Sequence, residues 1–179
     1  MDDISERIQI FNRIRDIPYG IIPELTNPKR CQEIISLNKG FCYPKHFLLC
    51  RELSRMGLSV LIQAYEFEWK EFSSFFPSHL RQMAYKMPPE FHLNCLVDTG
   101  DGFVTVDATL DPALKKLGFK VNSWDGLSST DVLATPTSTP LIFHPNEIVE
   151  EESYKYPSRA SNLQLAFYQS LNEWFEKTR

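Results

Sequence analysis

The sequence predicts an α+β protein, and three observations carry that prediction. Apolar residues recur at helical spacing near both ends of the chain. A helix over residues 40–57 is followed at once by a stretch rich in strand formers, Leu58 to Phe67. Farther on, two short apolar runs flank Asp98-Thr99-Gly100-Asp101-Gly102, the pattern of an antiparallel hairpin. Helices first and consecutive antiparallel strands in the second half place the chain in that class. At 179 residues it is expected to form one domain, residues 1–179, that buries roughly 70% of its unfolded surface.

In chain order, Ile4, Ile8, Phe11 and Ile14 or Arg15 predict an amphipathic helix over 3–16, broken at Asp16-Ile17-Pro18-Tyr19-Gly20. Residues 20–26 form a connector. Asn27-Pro28 pairs an N-cap with proline at the first helical position, opening a short helix to about Leu37 that Asn38-Lys39-Gly40 closes. The next helix holds Pro44 in its first turn, a stripe of Leu49, Leu53 and Met56, and Gly57 just past its end.

Residues 68–89 mix Trp69, Phe72, Phe75, Phe76, Leu80, Met83 and Tyr85 with Pro77 and Pro88-Pro89. The expected form is a helical excursion packed on the core; an aromatic lid or pocket wall is the alternative. The hairpin spans Phe91–Val97 and Phe103–Ala108, and Leu110–Gly118 reads as a short helix with proline near its start. Residues 119–145 read as irregular, with Trp124-Asp125-Gly126 and 135–140 as surface loops. Leu163, Phe167, Leu171 and Trp174 mark a C-terminal helix.

The formal net charge of −4 offers nothing that would hold nucleic acid or an anionic membrane. No apolar run is long enough to span a bilayer, and the N-terminus lacks the basic-then-apolar pattern of a secretory signal. Cysteines 31, 42, 50 and 95 form no C-x-x-C pair, so no structural zinc site and no other metal or cofactor is expected. Their place inside apolar elements points to free thiols in a cytoplasmic protein.

Cys42 falls at the start of a buried helix, where unpaired N–H groups and the helix dipole favour a thiolate. Alone it reads first as a small buried hydrophobe. The hairpin supplies what chemistry needs. His92, Asn94 and Leu96 share one face of the first strand, and Phe103, Thr105 and Asp107 share one face of the second. A loop of two residues, or of four from Thr99 to Gly102, sets His92 and Asp107 on the same face about 4.5–8 Å apart. A three-residue loop without a bulge would separate them. An aspartate beside a histidine fixes the tautomer and stabilises the imidazolium. An imidazole next to a helix-start cysteine can take its proton. His46 is the rival base, one helical turn after Cys42. His79 and His144 lie near prolines and read as surface residues.

Gly40-Phe41-Cys42 opening a helix, Gly57-Leu58-Ser59-Val60 entering a strand, His92 with its apolar strand, and Val106-Asp107-Ala108-Thr109 together resemble the core of the transglutaminase-like superfamily. Ile14-Arg15-Asp16-Ile17-Pro18-Tyr19 is similar to that family's lead-in segment. The likeness covers residues about 10–118, with 119–179 left as loops and a C-terminal helix. It implies a papain-like core with Cys42 as nucleophile, His92 as base, Asp107 as orienter and Tyr19 as an oxyanion donor beside the Cys42 N–H. Phe103 begins the aspartate strand where the family often has tryptophan.

The function so implied is acyl transfer or hydrolysis at amide or ester carbonyls through an acyl-cysteine, acting on a peptide, a protein or a small amide or ester. One alternative is a catalytically silent binding module that holds a partner with its aromatic 69–85 segment. Another is an enzyme like the arylamine acetyltransferases, for which no basic, glycine-rich stretch offers CoA phosphates a site. The triad names neither the substrate nor the oligomeric state.

Overall fold

The computed structural model describes residues 3–145 and 160–179. Helices α1 (Asp3–Arg15), α2 (Glu33–Leu37), α3 (Cys42–Arg55), α4 (Ser78–Ala84) and α5 (Asn162–Thr178) surround a four-stranded sheet. Its strands are β1 (Val60–Phe67), β2 (Glu90–Asp98), β3 (Phe103–Val106) and β4 (Leu141–Phe143), in the order β3-β2-β1-β4, all antiparallel. The chain is thus α+β. Among the described residues no helix is long and apolar enough to cross a membrane.

The central helix is α3, buried on every side from Cys42 to Cys50. Its sequence predicts only a stripe, yet α1, β1 and β2 all pack on it. Polar residues survive there because they are satisfied. Lys45 donates to the carbonyls of Arg15 (3.0 Å) and Thr109 (2.8 Å). Asn27 does cap the following turn, its Oδ1 accepting from the Lys29 N–H at 2.9 Å. That turn is a 3-10 piece, Pro28–Arg30, separate from α2, so the single helix expected over 27–37 is two.

The hairpin closes through a four-residue loop: Asp98 pairs with Phe103 and Cys95 with Val106. Gly100 and Gly102 both take positive φ, 113° and 118°, where a side chain would be strained. β4 falls inside the segment expected to be irregular. Three residues are too few for alternation to show, and Leu141 and Ile142 are exposed on this edge strand. Trp124, expected in a surface loop, is buried against Phe11 with ring centroids 5.9 Å apart.

The segment after β1 is a helical excursion on the core. Trp69, Phe72 and Phe76 are buried and meet Phe167 and Phe119. On α5 the buried face is Gln164, Phe167, Tyr168, Leu171 and Phe175, turned slightly from the expected stripe; Leu163 is exposed. Phe167→Ala is therefore expected to cost about 3–5 kcal/mol, whereas Leu163→Ala stays within roughly 0.5 kcal/mol. Urea midpoints at unchanged m-value would separate the two faces.

Candidate active site

Cys42 is the first residue of α3, entered from extended Phe41. The loop before it is zipped to residues 18–20. Gly40 N–H donates to Pro18 O, and Gly20 N–H donates to Gly40 O, both at 3.0 Å. That parallel bridge lays Tyr19 alongside the helix start. The Tyr19 N–H donates to Asp111 Oδ2 at 2.7 Å, and Arg179 donates to both Asp111 Oδ2 (2.7 Å) and Tyr19 O (2.8 Å).

The hairpin register carries the strand one residue past its end, so Asp107 comes level with Asn94 and diagonal to His92. His92 Nε2 donates to Asp107 Oδ2 at 2.8 Å. The same oxygen accepts from the Leu133 N–H at 3.0 Å, and Oδ1 accepts from the Thr109 N–H at 3.0 Å. The Cys42 side chain lies near enough to the His92 ring to favour its charged form. The structure brings Cys42, His92 and Asp107 together, all buried at 7%, 1% and 2% exposure.

The charges follow from these contacts. Burial opposes the imidazolium of His92. The Asp107 charge, the Asp107 hydrogen bond and then the Cys42 side chain outweigh it, raising His92 to about 10. Burial likewise opposes the Asp107 carboxylate, yet the charge and hydrogen bond of His92, aided by His46 and Thr109, hold it well below the usual carboxylate range. Tyr19 is pushed well up by burial first, then by the charges of Cys42, Glu90, Tyr168 and Asp107, so it stays an O–H donor.

His46 is fully occupied elsewhere. Its Nδ1–H donates to Cys42 O at 2.8 Å, and the Ala108 N–H donates to Nε2 at 2.9 Å. These partners fix a neutral tautomer, and burial pushes the group down to about 4 even with Asp107 Oδ1 3.6 Å away. It therefore clamps the start of α3 to the residue after Asp107. His79 and His144 are exposed, away from the cluster.

Three neighbours escape a reading from sequence. Tyr65 is paired with His92 across β1 and β2, ring centroids 5.4 Å apart. Lys45 is wholly buried. Glu90, two residues before His92, accepts from Trp69 Nε1 (2.7 Å), Gln164 Nε2 (3.0 Å) and Tyr168 O–H. Burial raises Glu90, with those three hydrogen bonds opposing. Its period-two spacing from His92 was the available signal.

Asp107 and Thr109 line a cleft of roughly 350 Å³ with Phe72, Leu110, Phe119 and Leu133. The same four apolar residues continue into a recess closed by Tyr19, Trp69, Phe76 and Phe175. A larger depression of roughly 790 Å³, between α3 and the start of β1, carries none of the three clustered residues; its size does not make it the site. Among the described residues no group of His, Cys, Asp and Glu is arranged to hold a metal ion. No family model, no curated protein and no solved structure matches this chain.

Proposed function

We propose that the chain is a thiol-dependent acyl-transfer enzyme with a papain-like core of the transglutaminase-like type. The observation that supports it most directly is the convergence on His92, whose Nε2 is bonded to Asp107 and whose charged form is favoured by both Asp107 and Cys42. In this reading His92 takes the Cys42 thiol proton and the sulfur attacks an amide or ester carbonyl, forming an S–C bond as the carbonyl π electrons move onto oxygen. The Cys42 N–H, at a helix position with no intrahelical acceptor, and the Tyr19 O–H stabilise that oxyanion. As the oxyanion collapses the C–N or C–O bond breaks, and His92 gives its proton to the departing amine or alcohol, leaving an acyl-cysteine. Water or an amine then takes the acyl group, its proton passing to His92. Asp107 keeps the imidazole oriented throughout.

The silent binding module draws no support from the aromatic segment. Trp69, Phe72 and Phe76 are buried, walling the recess beside Asp107 rather than an outer face, and leave only Phe75 and Tyr85 exposed among its Phe, Tyr and Trp rings.

Because Cys42 is nearly covered, a small electrophile is the right probe. At pH 6 an ordinary thiol of pKa about 8.5 is only about 0.3% thiolate. Iodoacetamide is expected to modify Cys42 at least about tenfold faster than free cysteine at that pH, read by peptide mass spectrometry. A panel of p-nitrophenyl esters and small amides should leave an acyl adduct on Cys42 that Cys42→Ala abolishes. Labelling no faster than free cysteine, with no adduct from any member of the panel, would remove the enzyme reading.

A further inference from the structure

Two helical turns beyond Cys42, Cys50 places its sulfur 2.9 Å from that of Cys95 on β2. Both residues are fully buried, both are free thiols, and neither belongs to the cluster around His92. Besides each other, the sulfurs have only weak backbone acceptors, Leu61 O at 3.8 Å for Cys50 and His46 O at 3.4 Å for Cys95. We propose that Cys50 and Cys95 form a redox pair, closed to an internal disulfide by peroxide, that fastens α3 to β2.

The bonded S–S distance is about 2.05 Å, so closure asks the sulfurs to approach by only about 0.9 Å. Their placement gives the bond a consequence. Cys50 lies on the helix that begins with Cys42, and Cys95 lies three residues after His92. A covalent link there joins the two elements that hold the sulfur and the imidazole. It requires no chemistry at Cys42 and stands whether or not the proposed function does.

Cys50 borders the 790 Å³ depression and is the side from which a small oxidant arrives. Its thiolate attacks one peroxide oxygen: an S–O bond forms, the O–O bond breaks, and the hydroxide released takes up a proton as water. The Cys95 sulfur then attacks the sulfenic sulfur, its thiol proton passing to the departing hydroxide. The S–S bond forms, the S–O bond breaks, and a second water leaves. Two thiols and one hydrogen peroxide give one disulfide and two waters; the sulfurs lose two electrons and the peroxide gains them.

The test treats the full chain with hydrogen peroxide, alkylates remaining thiols under denaturation, and maps peptides without reductant. The expected product is one Cys50–Cys95 linked peptide, lighter than the two thiol peptides by two hydrogens and released by dithiothreitol. The linked protein should melt roughly 5–10 °C higher, and Cys95→Ala should lose both the peptide and the rise. Recovery of Cys50 and Cys95 as alkylated thiols at a peroxide dose that fully oxidises free cysteine overturns the proposal, as does a link from Cys50 to Cys31. If Cys95→Ala fails to fold, the peptide map of the unaltered chain decides alone.

Discussion

Asp107→Asn is expected to slow acylation of Cys42 by a factor on the order of 10⁴. The carboxylate serves three donors at once: His92 Nε2 and the Leu133 N–H at Oδ2, and the Thr109 N–H at Oδ1. An amide can meet only part of that demand. With its oxygen toward His92, its NH₂ faces the Thr109 N–H. With its NH₂ toward His92, Nε2 must become an acceptor and the ring proton moves to Nδ1, so in the proposed reaction no ring nitrogen is left free to accept the thiol proton. Either way a buried polar group goes unpaired, costing about 1–3 kcal/mol of stability.

The same substitution reverses the balance at His92. Asp107 supplies the leading influences that raise this histidine to about 10 against burial. Without the charge, burial dominates and His92 should titrate below its ordinary value of about 6.5. Histidine ring NMR against pH reads this directly. A His92 that still titrates above neutrality in Asp107→Asn, with unchanged acylation, would show that Asp107 does not orient the base.

The helix-start cysteine, the hairpin and its His–Asp pairing were legible from sequence because each rests on short-range rules. A cap, a period of two and the residues of a four-residue turn fix them within a few positions of chain. What escaped rests on long-range contacts. Glu90 and Gln164 are 74 residues apart, and no local pattern says that one α5 residue both closes the Ser161 capping box and binds a carboxylate on β2. Nothing local in the sequence marks Lys45 as interior; only the packing of α1 and the 109 segment around it makes it so. His46 was separable from His92 only by its partners. Spacing shows that it shares a helix face with Cys42, not that Ala108 N–H already occupies its Nε2.

Lys45 leads to an unusual pH dependence of stability. Burial pushes its ammonium down to about 7 against the pull of Asp111 and Asp107. In the unfolded chain it titrates near 10.4, so between pH 7 and that value the unfolded state binds more protons and folding gains as pH rises. His92 runs the opposite way. Its folded value of about 10 exceeds the unfolded 6.5, so its contribution is complete below pH 6.5 and is lost as pH rises through 10. From pH 7 to 8.5 each group moves stability by about 2 kcal/mol, in opposite senses. These two contributions should therefore nearly cancel across that window. Lys45→Met removes one side of the balance and keeps the side chain's length, so its stability should fall by about 2 kcal/mol over the same pH range, as urea unfolding would measure. Parallel curves for the two proteins would mean that Lys45 does not lose its proton there, and that its two carbonyl partners hold the ammonium charged inside the fold.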